Sequence, residues 1–382
     1  MNVQARLAEA RASGAKLFRA PGRVNIIGEH TDYNEGLVLP TNTSLYTWLS
    51  VKERADRRIR ISTSSLDASG TFHLDELTRS DDPDWIDYVK GVAWFLENEG
   101  VTLRGADISI DGEIPIGGGL SSSASLELAV ALALLDIAGI SLPAKTIAEL
   151  CQAAEREFAG VNCGIMDQYS IACGHYGKAM LLDCRTLATE YAPIPTEMAL
   201  VVTDSGVKHK LPDSGYNDRA NECNQAVRLL KEFDTTVSSL RDASTGLLDS
   251  RQQELGDTLY RRSHHVVTEI QRVRDAFEAL RAGDAKRLGT LVRESHASLR
   301  DDFEVSCDEV ESLIEIADRC DGVLGSRIVG AGFGGCVLSV VDAKNAGAVM
   351  DDIGRNYATV SGRRPWIHCV TATDPAVEVS EV

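Results

Sequence analysis

The chain contains no C-x-x-C pair: its nine cysteines, at positions 151, 163, 173, 184, 223, 307, 320, 336 and 369, are odd in number and frame neither a zinc site nor a disulfide scaffold. Most are expected as small core residues in a reducing compartment. No G-x-x-x-x-G-K-[ST] run occurs, which excludes a Walker-type ATPase. Internal repeats and low-complexity tracts are absent. The most apolar stretch, 124–140, carries Glu127 and Asp136 and reads as a buried helix rather than a membrane span. The opening MNVQARLAEARASGAK has no apolar h-region, so no secretory signal is expected and the cytoplasm is the expected location. Basic residues are in deficit. Lys+Arg 39 against Asp+Glu 57 leaves a formal net charge of −18, a field that repels nucleic acid and anionic membrane surfaces. Any phosphate bound here must be held locally, by backbone N–H groups and a few cations.

What is present is enough for two domains: 382 residues, 43 % hydrophobic and 25 % charged. LFRAPG, RVNIIG, LVLPTN, LYTWLSVKE and RRIRISTSS predict a β-meander over the first 65 residues. A helix around YVKGVAWFLENEG, the strand ADISIDGEIP, a long helix after Ser121 and another over 145–159 complete an α+β first half. MALVVTDS opens a mostly helical second half, with apolar spacing at Leu255, Leu259, Val266, Ile270, Val273, Phe277 and Leu280. The boundary is expected near residue 200, giving domains 1–200 and 201–382. The pair His264-His265 has no metal-ligand spacing around it and is expected on a helix surface.

The segment APGRVNIIGEHTDYN crowds Arg23, Glu29, His30 and Asp32 around the end of one short strand placed behind a Pro-Gly turn. Carboxylates accept hydrogen bonds from hydroxyl pairs and a neutral imidazole both donates and accepts, so the cluster suits a sugar; a solvated turn with incidental charges is the plain alternative. Two glycine-rich stretches compete for a phosphate. GGGLSSSAS lies between a strand and a helix, where glycines admit a polyphosphate and the helix start supplies free N–H groups. One serine suffices as a cap, and the others are available to a phosphate-bound cation. GAGFGG matches G-x-G-x-x-G, but CVLSVV after it reads as a strand, whereas a dinucleotide loop opens a helix. It is read instead as backbone packed against a ligand or another loop.

GRVNIIGEHTDY, IPIGGGLSSSASLELA and SRIVGAGFGGC resemble, in order, the three signature segments of the GHMP small-molecule kinases. The first is similar to the galactokinase signature in particular, and WIDYVKGV, CQAAEREFAGVNCGIMDQ, LDCRTL and ESHASLRDDFEVSC extend that likeness over nearly the whole chain. The resemblance implies a two-domain α+β fold: an N-terminal domain like one found in ribosomal proteins, a ferredoxin-like C-terminal domain, and an active site between them. It implies transfer of the ATP γ-phosphoryl group to the C1 hydroxyl of α-D-galactose with Mg²⁺, the first committed step of galactose breakdown. No nucleic acid or membrane partner is implied, and a monomer is expected. By matching positions, Asp167 resembles the base beside the C1 hydroxyl and Arg23 its cationic neighbour. Glu29, His30, Thr31 and Asp32 stand at sugar-binding positions, joined by Gly164 and Tyr216. Gly117, Gly118, Gly119, Leu120, Ser121, Ser122 and Ser123 form the matching ATP loop, Ser123 and Glu155 match the Mg²⁺ ligands, and Trp85 resembles an adenine-side aromatic. The family's pattern further implies that Asp32 meets the C3 and C4 hydroxyls and Glu29 the C6 hydroxyl.

Two departures stand out: LPTNTSLYTW is more polar after its proline than in many relatives, and Val329 replaces a common threonine. Two other readings stay open. A kinase for N-acetylgalactosamine, galacturonate or L-arabinose would use the same cleft, and so would a non-catalytic galactose and ATP sensor.

Overall fold

Along Arg58–Thr63 buried and exposed residues alternate, with Ile59, Ile61 and Thr63 turned inward, as a strand with one face on a core requires. In the computed structural model, which describes residues 2–81, 84–207 and 215–380, this strand belongs to a six-stranded sheet. The order across it is Val377–Glu378, Lys16–Asn25, Pro40–Glu53, Ala106–Gly112, Arg58–Thr63 and Ala68–His73. The expected meander is therefore corrected. Arg58–Thr63 does not pair with the strand before it, because Ala106–Gly112 inserts between them and runs parallel to it. The Pro-Gly pair is no turn either: LFRAPG and RVN form one strand, Lys16–Asn25, whose register shifts between Pro21 and Arg23. A bulge accommodates the proline, which has no N–H for the ladder, and the sequence signal of a breaker was real but local. The N-terminal helix Val3–Ser13, with Asn2 as its cap, buries only Leu7 and Ala10, too weak an apolar stripe to be read from the sequence.

Helices Trp85–Asn98, Ser122–Ala138 and Ala144–Ala154 pack with this sheet. Ser122–Ala138 is buried along most of its length, as its composition requires. Asp136 is accommodated by Lys16, 2.7 Å away, whereas Glu127 is fully buried.

The second sheet is antiparallel, in the order Val323–Ile328, Cys336–Asp342, Met198–Asp204, Ile367–Val370. Its strands, taken in chain order with the helices between the first and second and between the third and fourth, form the βαββαβ pattern of a ferredoxin-like domain. The GAGFGG loop opens Cys336–Asp342, a strand, so the rejection of a dinucleotide loop holds. Leu37–Val38, Lys178–Asp183 and Thr189–Pro193 make a third, small sheet. All nine cysteines are free.

Two large cores result. One lies between the six-stranded sheet and its helices. The other, around the helix Gln252–Arg281, takes in Val24, Ile26 and Ile27 beside Val266, Ile270 and Val273. Fully burying an aliphatic side chain is worth about 1.5–3 kcal/mol, so the segment that follows the first strand is anchored firmly in the second half of the chain. That anchoring, together with the backbone bonds from the Ile26 N–H to the Leu39 carbonyl and from the Leu39 N–H to the Ile27 carbonyl, places the loop bearing Glu29, His30 and Asp32.

Candidate active site

The phosphate-loop candidate, 117–123, and the loop 330–335 pack backbone against backbone. Gly119 has φ 75°, and a Cβ there would stand 2.6 Å from the Val329 carbonyl oxygen, so only glycine fits. The cleft they border also receives Arg23, Glu29, His30 and Asp32, together with Glu155, Asp167 and Tyr216. Leu120 is buried and its carbonyl accepts from the Arg23 N–H at 3.1 Å, while Gly118 lies against Cys336; both support the loop rather than line the cleft.

No side chain caps the helix Ser122–Ala138. Its first N–H groups are therefore open to an anion. The serines are committed elsewhere. Ser121, in the left-handed conformation at φ 60°, donates to Asp167 Oδ2 at 2.5 Å. Ser123 donates to Glu155 Oε1 at 3.0 Å, and Ser125 to the Ala20 carbonyl at 2.8 Å. Ser122 lines the cleft without a side-chain role of this kind.

Asp167 sits in the first turn of Met166–Cys173. Its Oδ1 accepts from Arg23 Nε at 2.8 Å and from Arg23 Nη2 at 2.6 Å, and Arg23 Nη1 also donates to the Gly119 carbonyl. Arg23 is 4 % exposed. Burial opposes its charge, but Asp167, Glu29 and Asp32 more than offset that and raise its pKa.

Glu155 opens a single π-helical turn, Glu155–Ala159, after the helix Ala144–Ala154, an irregularity that re-aims side chains. Gln168 Nε2 donates to Glu155 Oε2 at 2.6 Å and to Glu127 Oε2 at 3.0 Å. Burial, then the charge of Asp167, push the Glu155 carboxyl up to about 7; burial raises Glu127 well above the usual carboxylate range.

On the sugar side, Asp32 is half-buried, and burial followed by Asp167 brings its pKa up to about 7. Gly164 makes room for it: a Cβ there would fall 2.1 Å from Asp32 Oδ2. Burial holds His30 well below its ordinary pKa, so the ring is neutral; its Nδ1 lies 2.9 Å from the Tyr33 hydroxyl and its ring centroid 5.5 Å from that of Tyr216. Glu29 is already paired, accepting from Arg327 Nη2 at 3.0 Å, Gly330 N–H at 2.8 Å and Asn25 Nδ2 at 3.1 Å. Thr31 serves the loop itself, donating to the Gly28 and Leu37 carbonyls. Trp85 starts the helix Trp85–Asn98 and packs on the first core; it is not among the residues lining the cleft.

Sequence reasoning passed over Gln168, Glu269 and Arg327, and it misplaced His265. That residue is fully buried, with Nε2 3.2 Å from the Glu29 carbonyl oxygen, and burial lowers its pKa to about 4. The only available signal was its place four residues before Glu269 on the apolar side of an amphipathic helix.

Residues 87–175 match the family model "GHMP kinases N terminal domain" and 276–359 match "GHMP kinases C terminal". With the two-domain fold and the glycine-serine loop at a helix start, they define a small-molecule kinase of the GHMP class. Residues 8–53 match the "Galactokinase galactose-binding signature". A galactokinase of Roseiflexus sp. (strain RS-1) is 41 % identical over 358 residues, 94 % of this chain and 91 % of that protein. One from Chloroflexus aurantiacus is 42 % identical over 349 residues, 91 % and 90 % of the two chains. The solved structure of Lactococcus lactis galactokinase complexed with galactose superposes with a TM-score of 0.91 at 35 % identity, covering 98 % of each chain. The chain belongs to the galactokinases.

Proposed function

We propose that this protein transfers the γ-phosphoryl group of ATP to the C1 hydroxyl of α-D-galactose, giving α-D-galactose 1-phosphate and ADP. The observation that carries this reading is Asp167, held between Arg23 of the sugar signature and Ser121 of the phosphate loop, where an acceptor hydroxyl and a phosphoryl group would meet. The sensor reading and the kinases for other sugars find no support among the relatives.

Phosphoryl transfer passes through a loose transition state, so positioning and charge neutralisation outweigh nucleophilic push. The C1 oxygen bonds to phosphorus as the bond to the ADP oxygen breaks, and Asp167 orients the hydroxyl and takes its proton late. Arg23 offsets the negative charge gathered there. Glu29, His30, Asp32, Gly164 and Tyr216 form the sugar side, and residues 117–123 receive the phosphates. Nothing in the placement of Trp85 supports an adenine contact.

Among the described residues, no group of three or more His, Cys, Asp or Glu is placed to hold a metal by itself. Ser123 and Glu155 nevertheless offer two hard oxygen donors at one spot, which suits Mg²⁺ arriving with the nucleotide and completed by phosphates and water. Bound there, Mg²⁺ would neutralise phosphate charge. The free cysteines fit a reducing, cytoplasmic setting, and among the described residues no helix is long and apolar enough to cross a membrane.

A competition assay with ATP and equal concentrations of galactose, glucose, galacturonate and N-acetylgalactosamine tests the reading. Galactose should dominate; a preference for another of these sugars overturns the substrate.

A further inference from the structure

Two side chains one turn apart on the helix Gln252–Arg281 reach the backbone of the sugar loop. Glu269 Oε1 accepts from the Gly28 N–H at 3.0 Å, and His265 Nε2 lies 3.2 Å from the Glu29 carbonyl oxygen. Residues four apart share a helix face, so one rigid element grips two adjacent residues of the loop. A carbonyl oxygen only accepts, which places a ring proton on Nε2, while Nδ1 lies 2.9 Å from the Ser298 hydroxyl, which also reaches Asp302 Oδ2 at 2.8 Å. Glu269 is braced in turn: Ser295 donates to its Oε1 and Arg272 Nε to its Oε2, each at 2.6 Å. His265, Glu269 and Ser295 are fully buried.

Apolar side chains would pack this helix at less desolvation cost than a buried imidazole and carboxylate. The backbone they hold is unusual. Gly28 has φ 106° and His30, a non-glycine, φ 64°, a conformation that persists only where surroundings over-determine it. Phe303 fills the space between His265 and His30, with ring centroids 4.6 and 4.7 Å away.

We infer that His265 and Glu269 are positioning residues for sugar recognition: through the backbone of Gly28 and Glu29 they hold the Glu29 side chain and the His30 ring at the cleft. The inference rests on the proposed sugar role of that loop. Neither residue is placed to touch the sugar or the nucleotide, so their loss should weaken galactose binding and spare ATP.

The test compares His265→Leu, His265→Gln and Asp32→Asn by steady-state kinetics in both substrates and by calorimetric titration of galactose without ATP. His265→Leu should raise the galactose KM and Kd about tenfold or more, with kcat and the ATP KM within about threefold. His265→Gln, which restores an N–H donor near the Nε2 position, should recover most of the affinity. Unchanged galactose affinity in His265→Leu overturns the inference, as does a parallel rise in both KM values or a failure of His265→Gln to recover. Should His265→Leu not fold, Ser298→Ala, which frees the ring without touching the loop, should raise the galactose KM about threefold and leave the ATP KM alone; no change there is equally fatal. Asp32→Asn separates the two levels. If that variant binds galactose normally, the sugar-site reading itself fails; if it loses affinity while His265→Leu does not, only the positioning role falls.

Discussion

Arg23 and Asp167, 144 residues apart in the chain, meet through two hydrogen bonds to a single carboxylate oxygen, at 2.8 and 2.6 Å. The other oxygen takes the Ser121 hydroxyl. Both oxygens of Asp167 are thus oriented by the protein before any sugar arrives, one from the sugar signature and one from the phosphate loop, which is the preorganisation a positioning mechanism needs.

Asp167→Ala should therefore abolish phosphorylation while leaving ATP affinity within a few-fold, because the loop 117–123 loses only the Ser121 contact and keeps the backbone N–H groups offered to phosphate. Turnover within about tenfold of wild type in a folded variant would remove Asp167 from the mechanism.

Arg23→Lys is not conservative here. One ammonium cannot reproduce the fork that serves Asp167 and the Gly119 carbonyl together. A fall in kcat of about a hundredfold is expected, with a smaller change in the ATP KM; unchanged kcat in the purified variant would count against this role.

Glu155→Gln should raise the Mg²⁺ concentration needed for half-maximal rate strongly, since a carboxylate ligand becomes a neutral amide. The same variant carries a pH signature in the metal-free protein. The folded pKa of Glu155 is raised from 4.5 to about 7, so the folded state holds the extra proton between those values. Its stabilising contribution is full below pH 4.5 and lost as pH rises through about 7. Glutamine cannot ionise, so the melting temperature of the variant relative to wild type should climb from pH 5 to pH 8 in EDTA. A difference independent of pH would contradict the burial assigned to this carboxyl.

Asp32 titrates in the working range, its pKa brought up to about 7 by burial and Asp167. The ionised carboxylate accepts from sugar hydroxyls better than the acid, so the galactose KM should fall from pH 6 to pH 8. Asp32→Asn should flatten that dependence. Gly164→Ala, whose Cβ would stand 2.1 Å from Asp32 Oδ2, should raise the galactose KM and spare that of ATP. A galactose KM that rises with pH in wild type sinks the role of Asp32.

Discrimination among sugars follows from the same pairing. Glucose, with its C4 hydroxyl equatorial, should lose a hydrogen bond to a charged group, at about 1.5–3 kcal/mol or roughly ten- to hundredfold in kcat/KM. An unpaired Glu29 would repel the carboxylate of galacturonate by about 4 kcal/mol at 4 Å in a medium of dielectric about 20. Arg327 stands 3.0 Å from Glu29 and largely cancels that field, so galacturonate should be rejected by about a hundredfold or less rather than a thousandfold. A thousandfold preference in a two-sugar competition would mean that Glu29 acts as a free charge.

Much of this protein was legible in the chain. Periodicity delivered the helix Trp85–Asn98, and continuous apolar runs delivered the helix Ser122–Ala138 and the strand Met198–Asp204, because both signals are local properties that burial then enforces. The strand after GAGFGG separated a packing loop from a dinucleotide loop for the same reason. Pro21-Gly22 misled, since a breaker inside a long strand becomes a bulge when the neighbouring strand Pro40–Glu53 pairs on both sides of it, with its register shifted between. Signature residues marked Arg23, Asp167 and Glu155 because their order along the chain survives as pattern, while Trp85 shared that pattern's neighbourhood without reaching the cleft.

By itself, then, the sequence determined which elements form and singled out the loop 117–123 and the side chains Arg23, Asp167 and Glu155 as candidates, each from a short local motif. Tertiary structure alone decided what those side chains lean on. Gln168 under Glu155, Arg327 against Glu29, and His265 with Glu269 behind the sugar loop are contacts across 13, 298 and as many as 241 positions. No spacing rule encodes such pairs. A buried polar group is satisfied by whatever the packed fold brings within hydrogen-bond distance, and that partner exists only once the two cores have formed.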